Sequence, residues 1–160
     1  FERIHELTSR SGKAAKACVN LLESKGLYEG LAADVERIAG RLLSDIEYTI
    51  HVEGSDHLES LDPKTQIGVA LFFKECLANV IRHSGATHGS ATLHATPREL
   101  VHTVTENGTG LPSKESGIAR LSPESLLRRA RLLRGTVVTT DRPEGGTRIT
   151  LRTKTKSWWP

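Results

Sequence analysis

A chain of 160 residues has the length of one ordinary domain, large enough to bury a core without disulfides or a structural metal. With 37% apolar and 26% charged residues it is neither fibrous nor disordered, and no apolar run approaches the roughly 20 residues that span a bilayer. The net charge of +3 is unevenly placed: residues 1–115 carry 12 Lys/Arg against 16 Asp/Glu and residues 116–160 carry 10 against 3, so the C-terminal end suits a polyanion such as nucleic acid or a nucleotide triphosphate.

The chain begins at Phe1 without an initiator Met or a signal peptide, which reads as a fragment of something longer. Ile4, Leu7, Ser11, Ala14, Cys18 and Leu21 form a thin heptad seam over residues 2–25, a pairing helix or a plain amphipathic connector that Gly26 ends. Leu31, Val35, Ile38, Ala39 and Leu42 predict a helix over 28–44, and the alternation of Ile46, Tyr48, Ile50 and Val52 predicts a strand. Gly54 to Asp62 reads as turns. An Asp before Pro63 is a helix start signal, and the helix it opens should run through residue 83 and close at Gly85.

Strands are predicted at 88–96 and 100–106, joined around Pro97-Arg98-Glu99. Residues Asn107 to Leu121, rich in Gly, Ser and Pro, read as a mobile loop. A helix over 123–134 follows, its Arg128, Arg129, Arg131 and Arg134 toward the carbonyl end where the macrodipole favours cations, and Gly135 ends it. Strands at 136–140 and 147–154 flank a turn at Pro143–Gly146. Helices interspersed with adjacent strand pairs predict an α+β, two-layer α/β sandwich, with helices on one face of a mixed, mostly antiparallel sheet. Neither GxxxxGK[ST] nor GxGxxG occurs, so this is no P-loop or Rossmann arrangement. Cys18 and Cys76 lie far apart with no CxxC and no His at ligand spacing, which reads as two buried or half-buried thiols in a reducing compartment.

The most informative stretch is ECLANVIRHSGA, residues 75–86. At about 100° per residue, Asn79 lies roughly 40° around the helix from Glu75 and His83 roughly 80°, so Glu75, Asn79, Arg82 and His83 share one stripe. Phe72, Phe73, Leu77, Val80 and Ile81 occupy the other side and fix the helix in a core. Such stripes commonly face solvent, but Asn and His between apolar neighbours are poor helix formers, and nothing structural requires them here. Asn-Gly in ENGTG, residues 106–110, is also a hairpin signal, yet Gly110-Leu111-Pro112-Ser113 does not resume alternation, and a glycine loop that lets backbone approach a ligand is the better reading.

Taken in order, ECLANVIRHSGA, ENGTG and RPEGGTRITL at 142–151 resemble the ATP-binding catalytic domain of two-component sensor histidine kinases, in the subfamily paired with helix-turn-helix response regulators. That domain shares its ATPase superfamily with gyrase, the heat-shock chaperone ATPase and mismatch-repair ATPases. The resemblance covers roughly residues 30–155 and implies ATP and Mg²⁺ as ligands, with Asn79 on the metal, Glu75 near the metal or its water, and Arg82 and His83 near the phosphates. Glu75 and Asn79 are then the catalytic residues. Glu106 stands where the family keeps an Asp that accepts from the adenine amino group, one methylene longer, with Gly108 and Gly110 beneath the base. Gly145, Gly146 and Thr147 match the last motif, Thr147 as a phosphate or pocket-floor contact, while Gly117-Ile118 and residues 126–135 resemble the lid glycine and the helix after it.

The residue chemistry is consistent with that implication, because Mg²⁺ keeps several waters and takes few protein oxygens, so one Asn carbonyl beside a carboxylate makes a half-shell that phosphates complete. The family's Leu-His-Asp acceptor context is missing, His5-Glu6 being a faint likeness, so the expected organisation is a connector or end of the dimerisation region at 1–26, a catalytic domain at 27–155 and a tail at 156–160. The implied partners are a histidine-bearing dimerisation domain and a response regulator, in a cytoplasmic protein that is homodimeric at full length and anchored to the membrane, if at all, through other parts. Two rivals stay open: a degenerate, non-catalytic relative that binds a partner, and a nucleic-acid-binding domain using the helix at 123–134, against which no aromatic residue interleaves its arginines. Trp158-Trp159 reads as a docking peptide or as cover for apolar surface.

Overall fold

The computed structural model describes residues 30–109, 119–120 and 122–155. The expectations for the 1–26 seam, His5, Cys18, Gly110, Gly117-Ile118 and the Trp158-Trp159 tail lie outside those residues. The elements are α1 (Leu31–Leu42), β1 (Glu47–Glu53), α2 (Ser55–Glu59), α3 (Pro63–His83), β2 (His88–Ala95), β3 (Glu99–Glu106), β4 (Ala119–Arg120), α4 (Glu124–Leu132), β5 (Thr136–Asp141) and β6 (Thr147–Lys154).

The strands form a single sheet in the order β1-β2-β3-β6-β5-β4. β1 runs parallel to β2 and every other pairing is antiparallel, which matches the mixed, mostly antiparallel expectation. Alternate side chains on β3 (Leu100, His102, Val104, Glu106) and β6 (Ile149, Leu151, Thr153) are buried beneath the helices, and their neighbours are partly or fully exposed. This period of two is what one covered sheet face requires.

α3 is the centre of the helical layer and packs on both α1 and α4. Its start follows from the sequence: Asp62 Oδ1 accepts from the Thr65 backbone N–H at 3.0 Å and Oδ2 from the Thr65 hydroxyl at 2.6 Å, with Pro63 in the first turn. Phe72, Phe73, Cys76, Leu77 and Val80 are all buried, and each of the large ones contributes about 1.5–3 kcal/mol on leaving water. Phe73 meets the His102 ring edge-on at 5.3 Å, joining α3 to the middle of β3. Ser84 caps the helix and Gly85, at φ +60°, turns the chain away.

Three expectations need correction. The turn-rich stretch after Gly54 contains α2, which sequence periodicity misses because five residues make little more than one turn; Leu58 anchors it in the core. The loop reading of 107–121 overlooked β4, two residues paired to Thr139 and Thr140 of β5. The helix predicted over 123–134 stops at Leu132, and the left-handed residue that ends it is Arg134, at φ +52°, rather than Gly135. Gly135 serves a close approach instead: a Cβ there would press on the Arg152 carbonyl.

Candidate functional site

The three sequence motifs meet at one end of the sheet, where α3 stops, β3 ends and β6 begins. The Ser84 carbonyl accepts from the Thr109 backbone N–H at 2.9 Å and from its hydroxyl at 3.3 Å. Ser84 is itself held, its hydroxyl donating to Val80 O at 2.8 Å and accepting from the Ala86 N–H at 3.1 Å. A Cβ on Gly108 would overlap the Ser84 carbonyl, so only glycine lets the loop lie against the helix end this closely.

Glu106 lies on the covered side of β3 and is buried, and its Oε2 accepts from the Gly108 N–H. Its backbone faces the third motif. Glu106 pairs with Thr147 across the β3–β6 ladder, its carbonyl accepts from Arg142 Nη1 at 3.1 Å, and Gly146, at φ +90°, has no room for a Cβ against that carbonyl. The turn closes through Arg142 N–H to Gly146 O and Gly145 N–H to Arg142 O, each 3.0 Å. Beside it the Glu144 carboxyl is held below the usual carboxylate range, first by its own backbone N–H and then by Arg142 and Arg148.

The polar stripe lies on α3, the helix whose end forms this junction. Asn79 precedes Ser84 by five residues, about 7.5 Å along the helix axis. Its amide Nδ2 is buried and has no hydrogen-bond partner among the described residues, an arrangement that costs about 1–3 kcal/mol when nothing is bound. Glu75 is half-buried one turn earlier and Arg82 is exposed. No hydrogen bond among the described residues joins Glu75, Asn79 or Arg82 to the glycine loop, whereas Glu106, Gly108, Gly146 and Thr147 are brought together directly. The side chain of His83 is outside the described residues.

Chemically, the junction offers an amide and a carboxylate on a rigid helix, a loop that two glycines let pack closely on its neighbours, and the Arg142 guanidinium. Cys76 offers no thiolate here, because burial and then the charge of Glu75 push its thiol well above the ordinary range. Among the described residues no group of three or more His, Cys, Asp or Glu is placed to hold a metal by itself, so a cation here would need a ligand that brings its own oxygens. Sequence reasoning missed Ser84, Asn107 and Arg142. Ser84 was signalled only by its place between a helix and a glycine, and Asn107 only by an Asn-Gly pair that reads equally as a turn.

No protein-family model matches the chain. A 67-residue stretch, 42% of the chain, is 28% identical to the sensor histidine kinase YvfT of Bacillus subtilis strain 168, and spans only 18% of that protein. The ATP-binding domain of PrrB from Mycobacterium tuberculosis superposes with a TM-score of 0.58 at 21% identity, over 80% of this chain and 96% of that one. The fold is that of histidine-kinase ATP-binding domains. The histidine kinase domain of the blue-light-activated kinase EL346 from Erythrobacter litoralis gives 0.58 at 18% identity, over 92% of this chain and 74% of that one. The catalytic domain of histidine kinase ThkA gives 0.56 at 12%, over 79% and 94%. No helix among the described residues is long and apolar enough to cross a membrane.

Proposed function

We propose that the chain is the ATP-binding catalytic domain of a sensor histidine kinase and that nucleotide lies between α3 and the loop that follows β3. The observation that carries this reading is the buried amide of Asn79, unpartnered among the described residues, on the helix whose end is packed closely against the glycine loop through Gly108. A buried donor with nothing to bond calls for an explanation, and an acceptor oxygen of a bound phosphate would satisfy Nδ2 while leaving Oδ1 for a metal. The shared fold and the 67-residue match to YvfT support it.

In this assignment Asn79 would hold Mg²⁺ with Glu75 near the metal or its water, Arg82, His83 and Thr147 would attend the phosphates, and Glu106 with Gly108 and Gly110 would receive adenine. When bound, the metal neutralises charge on the phosphate oxygens. The protein's own part is positioning: α3, fixed in the core through Phe72, Phe73 and Leu77, presents the amide and carboxylate without reorganisation. Glu106 keeps one oxygen on Gly108 N–H and has the other for the base. The acceptor imidazole is supplied by a dimerisation domain, the phosphoryl group passes on to a response regulator, and the full-length protein works as a homodimer on the cytoplasmic side.

Titration with a fluorescent ATP analogue in the presence and absence of Mg²⁺ tests this. Asn79→Ala should abolish Mg²⁺-dependent binding while leaving thermal stability unchanged or raised, because the substitution removes an unsatisfied buried donor. Unchanged affinity in that variant excludes the assigned role, and no binding by the unmodified chain excludes the kinase reading in favour of a partner-binding relative.

A further inference from the structure

We infer that Asn107 is a positioning residue of the nucleotide site, tying the glycine loop after β3 to the connector that follows α3 and so fixing how far Gly108 stands from Asn79. The inference rests on the nucleotide-binding reading and adds to it a residue outside the three ligand-facing groups.

An Asn before a Gly is ordinarily a turn residue whose side chain bonds its own loop. This one does not. Asn107 Oδ1 accepts from the backbone N–H groups of Thr87 and His88, both at 2.9 Å, and Nδ2 donates to the Thr87 hydroxyl at 3.0 Å. Its backbone N–H donates to His88 O at 3.1 Å. Every one of these partners lies 19 or 20 residues away in sequence, on the far side of the β2–β3 hairpin.

The loop is therefore fastened on both sides of Gly108. Asn107 holds one side through the connector, and Thr109 holds the other through the Ser84 carbonyl. The connector is only Gly85 to Thr87, and Ser84 binds it to the last turn of α3 through Ala86 N–H. Movement of Thr87 is thus passed to the helix end that carries Asn79, and the two halves of the site share one rigid joint. Because Asn107 is exposed, water replaces its bonds when it is lost, so the consequence is a looser loop rather than an unfolded domain.

Two substitutions in the 160-residue chain separate the possibilities. Asn107→Ala removes the acceptor shared by two N–H groups; Asn107→Asp keeps an oxygen for both and gives up only the Nδ2 donor. Asn107→Ala should weaken the fluorescent ATP analogue at least about tenfold with melting within about 3 °C of the unmodified chain, and Asn107→Asp should stay within about threefold, as expected when a mislaid site loses affinity through geometry. Amide hydrogen exchange gives a readout independent of nucleotide: protection at Thr87 and His88 should be lost in the alanine variant and kept in the aspartate variant. Unaltered protection in Asn107→Ala overturns the tether itself, and lost protection with unchanged affinity overturns its role in positioning. Failure of the unmodified chain to bind the analogue overturns the nucleotide reading, and this role with it.

Discussion

His102 gives the fold a pH dependence that can be worked out from its surroundings. It lies in the middle of β3 with its ring fully buried between Phe72 and Phe73, 6.3 and 5.3 Å away. Nδ1 faces the Thr92 carbonyl at 3.0 Å; a carbonyl only accepts, so Nδ1 carries the proton, and the buried Nε2 is the bare nitrogen, with no partner among the described residues. Protonating Nε2 would place an unpaired charge among phenyl rings, and desolvation accordingly lowers the pKa from the ordinary 6.5 to about 4. Between those two values the unfolded chain binds a proton that the folded chain refuses. The stability contributed by the neutral ring is complete above pH 6.5 and is lost progressively down to about pH 4, amounting to ~2 kcal/mol at pH 5 and ~3 kcal/mol at the acid limit. Urea denaturation at pH 7 and pH 5 measures it, with His102→Asn as the reference, because the amide can still donate to Thr92 O but does not titrate. The unmodified chain should lose ~2 kcal/mol more than the variant over that interval. Parallel losses in the two proteins would refute the argument that burial holds the ring neutral.

Gly146→Ala forces a Cβ into the Glu106 carbonyl at a backbone φ of +90°, and should lower stability by about 2 kcal/mol or more and weaken nucleotide binding in the same titration; an unchanged melting temperature would show that the turn relaxes freely. Arg134→Gly should do the opposite at the end of α4, gaining about 1 kcal/mol and a few degrees in Tm because Arg134 sits at φ +52°. A lower Tm there would mean that the arginine side chain contributes more than its backbone costs.

The sequence was most readable where local signals coincide. Asp62 and Pro63 mark the start of α3, Gly85 its end, and the alternation along β2, β3 and β6 assigns their covered faces, because capping and pleat are properties of neighbouring residues. What was not readable depends on distant pairing. Nothing near β6 says that it inserts between β3 and β5, since that order is set by contacts across the fold. The stripe on α3 contains Asn79, whose amide Nδ2 is buried with no partner among the described residues. Asn107, by contrast, reveals its partners Thr87 and His88 only once the sheet has formed, and Arg142 reaches the Glu106 carbonyl across 36 residues.

That strand order has a consequence for how the domain tolerates change. Glu106 and Thr147 occupy one rung of the β3–β6 ladder, so the forty residues between them, which supply β4, α4 and β5, depart from and return to that ladder at a common doorway. Extra length spliced between those elements, outside β4, α4 and β5 and away from the tethered ends, lengthens a detour without displacing the frame on either side. The two strand ends at that rung are therefore fixed by the ladder, whereas the length of chain that separates them is not.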